Sequence, residues 1–323
     1  MNRRSFLFSM GVVGASGTTL FASDKMHIAK KLKKRIGIIG LDTSHAVAFT
    51  KALYQDKEGI FKGYKVVGAY PFGNPTIANN GERITRFKEE IQQFGVEIVD
   101  SIEHLLKIVD YVMLETNDGN MHLEQAKLVI EHGKPLFIDK PIANSQQDAE
   151  EIFRLASRYN VPLFSTSSLR YIEGITGINK AEVMGADVYT PAPIESSHKD
   201  LYWYGIHGVE MLFTILQEHC TAVQTIEEKD CDIIVGTWSG GRVGTLRAFT
   251  KEDHGFGGTV FTKSQGAVAL GEFKGYKRLL QEIMLFFETG VSPVPQAQTI
   301  GICKFIDAAY ASKKNKGVKI FLK

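Results

Sequence analysis

The chain has 323 residues, 44% of them hydrophobic, enough for a full core and for two domains. Its 38 basic and 36 acidic groups nearly balance, but residues 1 to 34 hold seven of the basic groups and one acid, leaving 31 basic against 35 acidic groups beyond them. A mildly acidic body without a polybasic stripe excludes nucleic acid as a partner, and three widely spaced cysteines (Cys220, Cys231, Cys303) exclude a disulfide framework and a zinc site.

In chain order, Asn2-Arg3-Arg4-Ser5-Phe6-Leu7 and the softened apolar run to Ala22 read as a twin-arginine export signal. The expectation is export to the periplasm through that machinery, with a tether remaining if the poor cleavage site Leu20-Phe21-Ala22 is not cut. A basic linker then runs to residue 34.

From residue 35 to 168, apolar runs near 36–40, 65–70, 110–114, 135–138 and 161–165 alternate with helical patterns near 44–55, 82–94, 119–132 and 145–159. Strands this apolar, separated by helices, predict a doubly wound parallel sheet, a Rossmann domain. Ser145, followed by acids, predicts the cap of the last of these helices.

Residues 169–323 change pattern. Runs near 183–190, 222–227, 231–238, 242–249 and 258–269, joined by glycine turns, predict an open, mainly antiparallel sheet. Helices near 203–217, 276–289 and 297–313 complete an α+β domain that suits substrate binding and packing against a second copy.

The first strand enters Gly40-Leu41-Asp42-Thr43-Ser44-His45. A dinucleotide-binding turn uses three glycines, for the bend, for approach of the pyrophosphate, and for close packing of helix on strand. Gly40 supplies the first; Asp42 and His45 stand at the other two. A carboxylate at 42 repels a pyrophosphate unless it turns away to cap the helix starting at Ser44, and a capped turn without ligand satisfies the same residues. After Val66-Val67-Gly68-Ala69-Tyr70 there is no ribose-binding acid, only Pro71-Phe72-Gly73-Asn74-Pro75, so NAD is not preferred over NADP.

A strand ending in Asp139-Lys140-Pro141, preceded by Gly133-Lys134-Pro135, resembles the Glu-Lys-Pro motif of the glucose-fructose oxidoreductase, inositol dehydrogenase and rhizopine-catabolism family (Gfo/Idh/MocA). His122 matches that family's His after the fourth-strand loop, and Gly205-Ile206-His207-Gly208-Val209-Glu210 is similar to its Gly-x-His-x-x-Asp helix.

The resemblance implies NAD or NADP held by Gly40, Asp42, Thr43, Ser44, His45, Asn117, His122, Asp139, Lys140 and Pro141, and a sugar, glycoside or polyol oxidised over it. Lys140 would supply a cation at the developing alkoxide and His207 the acid/base. The family's Asp four residues before the His is Trp203 here, which leaves Tyr204, Glu210 or Asp200 to orient His207. His207, Glu210 and His198 form no metal-ligand cluster by spacing, so no metal is expected. An exported enzyme meets no free nicotinamide pool, hence the expectation of a tightly kept cofactor. The alternatives are a non-redox lyase, hydratase or epimerase acting on keto-sugars, and a carbohydrate-binding protein with a degenerate Rossmann half.

Overall fold

Five apolar runs become parallel strands because their side chains are buried on both faces, and a sixth short strand joins them at the edge. In the computed structural model, which describes residues 34–252 and 254–322, β1 (Arg35–Ile39) leads into α1 (Ser44–Tyr54), β2 (Lys65–Tyr70) into α2 (Asn80–Gln92), and β3 (Glu97–Ile98) into α3 (Ile102–Ile108). Then follow β4 (Tyr111–Leu114), α4 (His122–Glu131), β5 (Leu136–Asp139), α5 (Gln146–Tyr159) and β6 (Leu163–Thr166). The export signal and linker read from the sequence lie outside the described residues.

The sheet order β3-β2-β1-β4-β5-β6 is parallel at every pairing. Strand order reverses between β1 and β4, and it is there, at the carboxyl ends, that such sheets open a crevice for ligands. β3 and α3 carry too few residues to show a period in the sequence and were not expected. Ser145 caps α5 as read, its side chain accepting from the Asp148 N–H at 3.0 Å.

The second sheet is built from β7 (Val183–Pro191), then, after α6 (Ile206–Leu216), β8 (Cys220–Glu227), β9 (Cys231–Trp238), β10 (Val243–Phe249), β11 (Gly257–Thr262) and β12 (Gly266–Ala269). After α7 (Lys277–Thr289) and α8 (Gln296–Lys314), β13 (Ile320–Phe321) closes its far edge. Its order is β12-β11-β7-β10-β9-β8-β13, antiparallel except for the central β7–β10 pair. The single run expected at 258–269 is a hairpin, broken where Gly266 takes φ +68°. The helix expected from 203 begins at Ile206, because Asp200–Tyr202 forms a 3-10 turn first.

The packing of α7 crosses the expected boundary at 168. Its Leu279, Leu280, Ile283 and Phe287 join the core of the first sheet, where Phe286 meets Phe164 at 4.8 Å and Phe287 stacks on Tyr111 at 4.7 Å. The chain therefore returns to the Rossmann layer after completing most of the second sheet, and Tyr276, just ahead of α7, reaches the first sheet's carboxyl edge beside His45.

Candidate active site

Gly40 makes the bend after β1 with φ +92°, and a Cβ there would lie 2.5 Å from the Thr116 Cα, so only glycine fits. Thr43, not Asp42, caps α1, its hydroxyl accepting from the His45 N–H at 3.4 Å. Asp42 instead turns towards the loops after β2 and β4. Its Oδ1 accepts from the Asn117 N–H at 2.9 Å, its Oδ2 lies 3.4 Å from the Asn80 amide nitrogen, and its backbone carbonyl accepts from the Asn117 side chain at 3.1 Å. Asn117 and Asn80 bond each other reciprocally at 2.9 and 3.2 Å, and Asn74 donates to Asp118 at 2.6 Å, which closes a polar tie across the end of β1.

The Asp42 carboxylate rests against Gly73, where a Cβ would fall 1.8 Å from Oδ2. It therefore sits beside the loop that follows β2, where the sequence carries no acid of its own. Fully buried, it has its pKa pushed up to about 6 by desolvation, against the pull of the Asn117 N–H.

A cleft of about 470 Å³ begins at Asp42, Thr43 and Ser44 and is walled on the α2 side by Arg83, Arg86 and Phe87. Two guanidinium groups facing a helix N-terminus and two hydroxyl side chains make an anion-binding end. These residues fit the pyrophosphate of a dinucleotide, with Asp42 drawn aside into Asn117 and Asn80. Sequence reading missed the arginines and Asn80, since a single Arg83-x-x-Arg86 spacing on an exposed helix reads as solvated surface.

The same cleft ends at His45, Lys140, Tyr204, His207 and Tyr276, with Trp203 and Pro193 on its rim. Lys140 stands at the end of β5 with its Nζ 5.5 Å over the Tyr204 ring. Burial pushes its ammonium pKa down, opposed by the charges of Asp139 and Glu115. His207, on the first turn of α6, is buried; burial and the Lys140 charge hold its pKa well below the ordinary histidine value, so the ring is neutral at neutral pH. Ser167, not Tyr204, Glu210 or Asp200, partners its Nδ1, at 2.6 Å. The Ser167 oxygen also accepts from the Leu169 N–H at 3.0 Å and keeps both its proton and a second lone pair, so it can donate to or accept from Nδ1; donation places the ring proton on Nε2.

The orienting partners expected for His207 are otherwise engaged. Glu210 pairs with Arg170 at 2.6 Å and Asp200 with Lys313 at 2.9 Å, while Tyr204 meets the His207 ring edge-on at 4.9 Å. Of the aromatic run, Trp203 and Tyr204 face the cleft and Tyr202 is buried, its hydroxyl donating to the Cys303 carbonyl at 3.2 Å.

Three expected cofactor contacts lie beneath the cleft rather than in it. His122 is fully buried, with Nδ1 2.8 Å from the Pro141 carbonyl and Nε2 2.7 Å from that of Thr116; it joins two loops and does not line the cleft. Pro141, after a cis Lys140–Pro141 bond, packs under Gly119, where a Cβ would lie 2.8 Å from its Cγ. Asp139 is buried and bonds His45, its Oδ2 2.7 Å from the ring Nδ1. Burial alone would raise its pKa, but His45 and Lys140 hold it below the ordinary carboxylate value. Next to this pair lies Glu115, fully buried with neither oxygen hydrogen-bonded, its pKa pushed well up by burial and by the Asp139 charge. No sequence signal marked Glu115, which sits inside an apolar strand end.

A Rossmann sheet and a mixed second sheet, with an anion-binding end and a Lys–His end in one cleft, define a two-domain α/β fold of Rossmann type. Residues 34–167 match the model of the Gfo/Idh/MocA family, described as an oxidoreductase family with an NAD-binding Rossmann fold. An uncharacterized oxidoreductase of Streptococcus pneumoniae is 28% identical over 124 residues, which span 35% of this chain and 34% of that relative. Among solved structures, a candidate myo-inositol dehydrogenase of Sinorhizobium meliloti aligns at a TM-score of 0.72 and 17% identity over 90% of this chain and all of its own. The myo-inositol dehydrogenase of Lactobacillus casei, solved with NAD(H) and myo-inositol, aligns at 0.70 and 15% identity, over 90% of this chain and 97% of its own. At such identities the structural likeness establishes the fold.

Proposed function

We propose that the protein is a nicotinamide-dependent oxidoreductase acting on a secondary alcohol of a sugar, glycoside or polyol. The observation that carries the reading is the single cleft that joins Arg83, Arg86 and the α1 N-terminus to Lys140 and His207. The helix terminus and the arginines hold the pyrophosphate, and Asp42 stands near the ribose. When bound, the nicotinamide supplies a two-electron hydride acceptor or donor. Lys140 holds a cation at the reacting oxygen, which stabilises the alkoxide as charge develops. His207 donates a hydrogen bond from Nε2 to the same oxygen, and Trp203 offers a face to the apolar side of a sugar ring.

Titration of NADH and NADPH by fluorescence tests the reading, with saturable binding expected for at least one of them and none for a protein without a dinucleotide site. Lys140→Met should keep that binding and lose turnover. A non-redox lyase or epimerase remains the second reading, favoured by the paired imidazoles of His45 and His207 at one cleft end; it predicts turnover of a keto-sugar without change in nicotinamide absorbance.

We extend the proposal to export through the twin-arginine route, supported by residues 2 to 22, with the cofactor bound before export and kept. Purified protein then releases a dinucleotide on acid denaturation. Met184, Tyr189, Val243 and Phe261, exposed on the second sheet, support a homo-oligomer, which light scattering measures directly.

A further inference from the structure

His45 stands where the third glycine of the fingerprint would be, and its ring is fixed on three sides. Its Nδ1 lies 2.7 Å from Asp139 Oδ2, its face stacks on Phe49 at 5.4 Å and 19°, and Tyr276 meets it at 4.8 Å. Both partners of the hydrogen bond are buried, at 9% and 3% exposure. A carboxylate can only accept, so Nδ1 carries the proton, and the neutral ring keeps its lone pair on Nε2, on the side away from Asp139.

His207 is set the opposite way when Ser167 donates to its Nδ1, which puts the ring proton on Nε2. One imidazole thus offers a base and the other a donor, at the same end of one cleft beside Lys140. We propose that the His45–Asp139 pair is the proton acceptor of this site, while His207 and Lys140 bind the substrate oxygen. The substrate O–H bond breaks with its electron pair left on oxygen, and the proton bonds to His45 Nε2. The resulting imidazolium is stabilised by Asp139 and returns its proton to solvent. The pair takes the place of the acid that the sequence lacks at Trp203, but from the opposite domain. The assignment rests on the proposed function for its substrate, not for its geometry.

The test has two arms. In the first, long-range ¹H–¹⁵N spectra of histidine-labelled full-length protein, assigned with His45→Gln and His207→Gln, report the tautomers. The expected result is a protonated Nδ1 and bare Nε2 at His45, the reverse at His207, and in Asp139→Asn a shift of the His45 proton towards Nε2. A wild-type His45 protonated on Nε2 alone, or a tautomer indifferent to Asp139→Asn, overturns the proposal. The second arm measures nicotinamide reduction with myo-inositol and a panel of hexoses and polyols. His45→Asn should lower kcat by about 100-fold or more on the best of these while dinucleotide affinity changes less than about threefold. Loss confined to affinity, or no loss, overturns the base assignment. If no panel member reduces the nicotinamide, the dehydrogenase reading is what fails, and the tautomers alone decide the pair.

Discussion

Replacing Asp42 by asparagine should stabilise the protein at neutral pH, which is an unusual outcome for a buried and hydrogen-bonded side chain. The group's pKa rises from 3.8 to about 6 on folding, chiefly through desolvation. At about 1.36 kcal/mol per pKa unit, the ionised carboxylate costs the folded state about 3 kcal/mol. The sign follows from proton binding: between about pH 4 and pH 6 the native state holds a proton the unfolded chain has released. Stability from this group is therefore greatest below pH 4, falls as pH rises to about 6, and is lower by the full amount above that. The substituted amide would retain an acceptor for the Asn117 N–H and remove the charge, but it would turn an NH₂ group towards the Asn80 donor 3.4 Å away, which returns part of the gain. The expected net is about 1 to 3 kcal/mol of added stability at pH 8 and none at pH 4, read by urea denaturation at both pH values. A variant less stable than wild type at pH 8, or with the same difference at both, would refute the reasoning.

The remaining predictions concern the turn and the cleft. Gly40→Ala forces a Cβ into the Thr116 backbone at a positive φ and should cost about 3 kcal/mol or more, seen as a lowered midpoint in a thermal melt followed by circular dichroism. Gly73→Ala drives its Cβ into the Asp42 carboxylate; it should break the Asn117 contact, lower stability by about 1 to 3 kcal/mol, and flatten the pH dependence that Asp42 contributes, measured by the same urea series. Arg83→Ala combined with Arg86→Ala should weaken dinucleotide binding by about 10- to 100-fold and leave the melting profile nearly unchanged, because the two side chains face the cleft rather than the core. Ser167→Ala removes the hydrogen-bond partner of His207 Nδ1 and should lower kcat by about tenfold with dinucleotide affinity intact, as read by steady-state kinetics.

The first sheet was legible because each of its main strands buries both faces and so appears as an unbroken apolar run, and because Ser145 and Gly133 punctuate the helices. What failed to show was short or non-local. Glu97–Ile98 and Ile102–Ile108 hold too little sequence to carry a period, and the hairpin between β11 and β12 is marked by one left-handed glycine inside a run that otherwise reads as continuous. In the site, Gly40, Thr43, Lys140 and His207 could be placed because they lie at strand ends or helix starts that the pattern locates. Ser167, Glu115, Arg83 and Tyr276 could not, since each becomes part of the site only when strands far apart in sequence are laid side by side. The inward turn of His122 has the same origin: the motif fixes its position in the chain, while the carbonyls of Thr116 and Pro141 decide where its ring points.

The two missing glycines mattered less as losses than as side chains gained. A glycine at 42 or 45 contributes only room, whereas a side chain there must be given a partner or it obstructs the crevice. Asp42 is drawn out of the way by Asn117, Asn80 and the open space at Gly73, and it carries a carboxylate to the end of β2, where the local sequence offers none. His45 is drawn down onto Asp139, and the residue that would otherwise only border the cofactor becomes the proposed proton acceptor of a pair that Asp139 orients. Each replacement is thus matched by a second residue that only makes sense with it: Gly73 for Asp42, Asp139 for His45. Random decay of a nucleotide site would leave such side chains unpartnered, with buried donors and acceptors exposed to one another. The paired arrangement instead argues for a site in which the strand ends have exchanged backbone space for proton-handling groups, and the tautomer of His45 is the property on which that argument stands.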